Sequence, residues 1–158
     1  MTITYLLPAL LSLHLIALIL MAGTTLLDFI TVRGFWRLFE KQKEKAFGLL
    51  EATASYSRMI GIGAAFLIIT GFGMMFITRG VFGEQLWFRI KFVFVILLVA
   101  NGIFIGRRLG LRLRKTASGT DLENPDGMVQ VRKNLFRFHI SQLFIFTIII
   151  ILSIFKFN

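Results

Sequence analysis

The chain has no cysteine among its 158 residues, which excludes disulfides, thiolate nucleophiles and sulfur-ligated metal sites. Histidine is nearly as scarce, with only His14 and His139. Acidic side chains number 8 against 18 basic ones, a net charge of +10. No nucleophile, base and orienting group form a visible set, so hydrolytic chemistry has no support. Once the apolar runs are marked out, no room is left for a separate soluble domain.

What is present is grease. The composition is 56% hydrophobic with 18 Phe, and the mean hydropathy is +0.79, more apolar than soluble domains of this size. A spanning helix needs about 20 predominantly apolar residues. Four segments qualify: 4–30, 57–78, 86–106 and 135–155. The expected fold is therefore all-α, an integral membrane four-helix bundle forming one domain over 1–158, with loops 31–56 and 107–134. The first segment lacks a basic leader and a small-residue cleavage site, so it reads as a retained helix.

The charge is unevenly placed. Arg33, Arg37, Lys41, Lys43 and Lys45 fall in the first loop. Arg107, Arg108, Arg112, Arg114, Lys115, Arg132 and Lys133 fall in the third. In the short second loop Arg79 is offset by Glu84. The positive-inside rule puts loops one and three in the cytoplasm and both termini outside. Basic residues beside spanning helices are explained by topology and by anionic lipid, so no nucleic-acid partner is expected.

On the first helix His14, Leu18, Met21, Thr25 and Asp28 follow a three-and-four spacing and share one face. Residues 35–52 mix aromatic, aliphatic and charged side chains, as in a cytoplasmic extension of helix 1 or an interfacial amphipathic helix. Ser55 and Ser57 are expected N-caps of the second helix. That helix is rich in glycine and alanine, which let helices approach closely in lipid. Its Gly61-Ile62-Gly63 follows no strand, so a dinucleotide loop is rejected. Trp87 suits the outer interface. Gly102, Gly106 and Gly110 form a small-residue stripe that packs helices within the bundle or in a homo-oligomer. Residues 116–128, with Gly, Asn, Pro and Asp, read as a flexible turn, and Lys156 as a snorkelling residue at the outer interface.

Ionisable groups at membrane depth are functional-site hypotheses by default. At about 1.5 Å of rise per residue, His14 lies roughly 13 Å and Lys91 roughly 7–8 Å below the outer surface. His139, a turn into the last helix, falls nearer Asp28, Arg58 and Arg137. The polar interior thus divides into an outer set of His14, Lys91 and Arg89 and an inner set of His139, Arg58 and Asp28. An imidazole in a helical bundle suits haem b, with basic residues such as Arg58 neutralising the propionates. The alternatives are a histidine bonded to a neighbouring helix, a snorkelling Lys91, and an Asp28 neutralised by Arg58 or Arg137. One haem bridged by both histidines would need tilt to absorb a depth offset of roughly 9 Å. Met21 cannot oppose His14, because it lies two turns along the same face. Copper is a further class, through Met21, Met74, Met75 and His14, though no tight Met/His cluster exists.

These residues resemble the HemJ-type membrane protoporphyrinogen oxidases and the broader copper-resistance D-like membrane proteins. Leu13-His14 followed by Met21-Ala22-Gly23, then Thr70-Gly71, then Trp87-Phe88-Arg89-Ile90-Lys91, then Phe136-Arg137 with a terminal Lys156, match that family's short motifs in order along nearly the whole chain. The resemblance implies a haem b iron ligand at His14 and a lysine needed for activity at Lys91. It also implies a bacterial inner-membrane oxidoreductase passing electrons from a porphyrinogen to a quinone-like acceptor. The chain departs from the pattern. Leu27-Asp28-Phe29-Ile30 stands where the family has Tyr-Leu-Pro-Arg, Ile140-Ser141 and Leu143 replace an Asn-Glu and a Pro, and Arg89 replaces a His. The alternatives are a copper-resistance D-like transport or accessory protein and a structural subunit of a membrane complex.

Overall fold

The computed structural model describes residues 2–117 and 125–155. Lys156 and the centre of the expected 116–128 turn lie outside them. The protein is an all-α four-helix bundle with four helices long and apolar enough to cross a membrane. Its elements are α1 (Thr2–Phe39), α2 (Lys43–Ala52), α3 (Tyr56–Ile77), α4 (Leu86–Ala100), α5 (Arg107–Ala117) and α6 (Pro125–Ile154). A single 3₁₀ turn (Val81–Glu84) precedes α4, and a π-helical segment (Asn101–Gly106) joins α4 to α5 without a break.

α1 packs along α3 on one side and α6 on the other, and α4 packs on α6. The helices therefore neighbour one another in the order α3, α1, α6, α4. α6 is the most enclosed, with 33% of its apolar window buried against 6–11% in the others. The membrane core of the bundle is Met21, Leu98, Phe146 and Ile149, flanked by Ile60, Ala64 and Leu67 of α3. α3 reaches α1 because Gly63 carries no side chain: a Cβ there would stand 2.9 Å from Met21 Cβ and 3.1 Å from its backbone nitrogen. Outward, side chains such as Ile19, Ile69 and Phe76 are exposed, an apolar belt that would aggregate in water and suits lipid.

The helices continue well past the apolar runs. With 38 residues, α1 is about 57 Å long, nearly twice a hydrocarbon core of about 30 Å. Most of the expected loops 31–56 and 107–134 is thus helical, and these extensions build a second core. Phe35, Trp36 and Phe39 of α1 pack with Ala46 of α2, Leu109 and Leu113 of α5, and Val131 and Leu135 of α6. Phe35 and Trp36 meet edge to face with centroids 5.2 Å apart, the geometry that favours aromatic pairs. Residues 35–39 extend α1 and 43–52 form a separate short helix. Ser55 occupies the N-cap position of α3 in a helical conformation and makes no side-chain cap bond. Ser57 lies one residue inside that helix. The turn after α3 is a Schellman-type stop: Gly80 N–H donates to Met75 O and Arg79 N–H to Phe76 O. It holds Arg79 at φ 51° and Gly80 at φ 73°.

Candidate functional site

The outer site begins with small residues. Gly71 faces His14, whose Cε1 is 3.6 Å from where a Cβ would be, ordinary van der Waals contact. Buried Thr70 stands alongside, and His14 Nδ1 lies 2.7 Å from Thr70 Oγ1. The threonine hydroxyl has one hydrogen, and its 2.6 Å contact with Phe66 O uses it. Thr70 therefore accepts from His14 Nδ1–H, which puts the lone pair on Nε2. Among the described residues Nε2 has no hydrogen-bond partner. His14 is half-buried, and half-buried Lys91 on α4 is close enough to interact with it electrostatically. Arg89 does not join them: its Nε donates to Gly83 O at 3.0 Å. Met21 is spent in the core against Gly63.

The inner site is differently built. His139 is 1% exposed. Its Nδ1–H donates to Leu135 O at 2.8 Å, and its Nε2 is bonded to Asp28 Oδ2 at 3.0 Å. Both ring nitrogens of His139 are thus occupied by bonds to α1 and to its own helix. Phe29 and Phe138 stand against the ring, at centroid distances of 5.6 and 5.2 Å. The expected partners of Asp28 were Arg58 or Arg137, and its partner is instead His139. α6 starts at Pro125, so His139 lies 14 residues, about 21 Å, inside the helix rather than one turn from its end. Arg58 is exposed at the start of α3 and Arg137 is exposed on α6.

The two histidines are far apart. Asp28 is 14 residues beyond His14 on α1, about 21 Å. No tilt absorbs that separation, and one haem cannot be bridged by both. His139 would also have to release one of its two bonds to ligate a metal. No group of three or more His, Cys, Asp or Glu that could hold a metal ion occurs among the described residues. At His14 the donor chemistry does fit a haem iron held by one imidazole. The hydroxyl at Nδ1 fixes the tautomer and ring orientation, the usual outer support of a metal-ligating histidine. The basic residues of α1 from Arg33 onward start 19 positions away, about 28 Å, whereas Lys91 is near enough to act on His14.

Sequence reasoning missed a polar knot between α4 and α6. Asn101 Nδ2 donates to Gln142 Oε1 at 2.7 Å and to Ser141 Oγ at 3.2 Å. Gln142 Nε2 donates to Leu98 O at 3.3 Å, where the α-helical ladder gives way to the π segment. Gly106 sits in the same contact, and a Cβ there would meet Phe138 Cζ at 2.7 Å. An Asn and a Gln inside apolar runs were the available signal, since polar groups in lipid need partners. Against protein-family models, curated proteins and solved structures, the chain finds no match.

Proposed function

We propose that the protein is a haem b-binding membrane protein with a redox role, His14 Nε2 being the iron ligand. The observation that carries this reading is the hydrogen-bond relay from His14 Nδ1 through Thr70 to Phe66 O, which leaves Nε2 bonded to no side chain among the described residues. A bound haem would supply one-electron chemistry. The chain's own residues do the rest: Thr70 orients the imidazole, and Lys91 holds a propionate or an anionic substrate group. The motif order that resembles HemJ-type oxidases supports a hydrophobic reductant such as a porphyrinogen and a quinone-like acceptor. The basic ends of α1, α5 and α6 support a bacterial inner-membrane location with both termini outside. A cytoplasmic signal from a C-terminal reporter fusion would overturn that orientation.

A structural subunit is the second reading, favoured by the fact that His14–Thr70 and His139–Asp28 each tie two helices together. One visible spectrum of the detergent-purified chain separates the two. The haem reading expects a Soret band that shifts on dithionite reduction and is lost in His14→Ala while far-UV circular dichroism is unchanged. No haem after expression with ample haem supply would sink it. Stoichiometric copper in the same sample would replace it with a copper-resistance D-like role.

A further inference from the structure

One cleft lies remote from His14. It is an open groove of about 970 Å³ between the cytoplasmic-side ends of α1 and α6. Its floor is apolar and aromatic, with Phe29, Trp36 and Phe136. Phe29 and Phe136 face each other across the two helices at 5.9 Å. Its rim is basic: Arg33 and Arg37 on α1, and Arg132, Lys133 and Arg137 on α6. Glu40 neutralises one of these, since Arg132 Nη1 meets its Oε1 at 3.0 Å and closes one end of the groove. Among the described residues the other four cations have no carboxylate within ion-pair distance.

Those four form a regular frame. Arg33 and Arg37 are four residues apart, as are Lys133 and Arg137, so each pair lies along one helix face at about 6 Å of rise. The two pairs face each other over one groove. Arg33 is held in place above the Phe29 ring, 5.6 Å from its centroid. The Trp36 indole forms part of the same wall, and its buried Nε1–H has no acceptor among the described residues. A buried donor without a partner is costly. A lipid oxygen entering beside it, with a small shift of the covering side chains, would relieve that cost.

An aromatic floor beneath four unmatched cations, at the edge of an apolar belt, is complementary to a ligand with acyl chains and more than one negative charge. We propose that this groove binds a phospholipid carrying two phosphates, of the cardiolipin type. One phosphate sits between each cross-groove pair of cations, and the acyl chains run down over Phe29, Ile30 and Phe136. Basic pockets between spanning helices are suited to such headgroups. The site does not depend on the haem reading, being about 28 Å along α1 from His14.

The test is native mass spectrometry of the full detergent-purified chain titrated with cardiolipin, phosphatidylglycerol or phosphatidylcholine. Cardiolipin is expected to be retained at one copy per chain, at least ten-fold tighter than phosphatidylcholine and several-fold tighter than phosphatidylglycerol. Each cation removed should weaken binding about five-fold. The double variants Arg33→Gln/Arg37→Gln and Lys133→Gln/Arg137→Gln should therefore each lose about twenty-five-fold. Arg107→Gln/Arg108→Gln removes the same charge from α5 and should change binding less than two-fold. An equal loss in that control would show diffuse attraction and overturn the site. Cardiolipin held no tighter than phosphatidylglycerol would overturn the two-phosphate assignment. Effective competition by the deacylated headgroup would make this a soluble-anion site and overturn the lipid assignment.

Discussion

Two histidines at opposite ends of α1's contacts show how differently one residue type can be used. His139 is enclosed, has both ring nitrogens bonded and lies against two phenylalanine rings in the inner half of the molecule. His14 is half-buried in the outer half, with Nδ1 bonded to Thr70 and Nε2 without a hydrogen-bond partner among the described residues. A fully satisfied imidazole holds helices together and resists being recruited for chemistry. A half-satisfied one is oriented but still has a lone pair to give. The inner half also has its own aromatic core past the apolar runs, whereas contact between α1 and α3 in the outer half relies on glycine.

The contrast can be broken most directly at His139. His139→Leu leaves Asp28 without its partner and should cost about 3 kcal/mol, measured by reversible unfolding in mixed micelles. Haem bound through His14 should be unaffected. Gly63→Ala drives a methyl into the Met21 backbone and should cost about 2 kcal/mol in the same assay. Because it pushes α3 from α1, it should also weaken any haem held at His14. Thr70→Val removes the acceptor of His14 Nδ1–H and should cost only about 1 kcal/mol, with a change in the reduced Soret position as its specific sign. A Thr70→Val loss as large as that of His139→Leu would mean that the outer histidine is as structural as the inner. The smallest effect is a gain. Arg79→Gly relieves the left-handed turn after α3 and should stabilise by about 1 kcal/mol, leaving the inner half unchanged.

The four spans and the all-α fold were legible because lipid imposes a length of apolar sequence that nothing else explains. The extensions of α1 and α6 were not, because hydropathy stops at the membrane while helix periodicity does not. Leu109, Leu113, Val131 and Leu135 sit among charges and become a core only once α5 and α6 are brought together. The shared face of His14, Met21 and Asp28 could be read from spacing, and the grouping of Asp28 with His139 from depth, but the individual bonds could not. Thr70 is 56 residues from His14 and His139 is 111 from Asp28, and both pairings depend on which helices are neighbours. Charge pairing pointed Asp28 to Arg58 or Arg137, but both of those side chains are exposed, and the buried member of the same inner set, His139, is the one that meets it.

The π segment at Asn101–Gly106 gives the chain some slack. Such a segment takes up one more residue than an α-helix would need, so the faces of α4 and α5 are one residue, about 100°, out of step with a continuous count. Losing one residue inside 101–106 would let the helix run straight while Trp87 and Leu113 kept their present faces. Losing one residue elsewhere between 86 and 117 would turn everything beyond it by that same angle. Tolerance of single-residue deletions should therefore be concentrated in this one turn and nearly absent on either side.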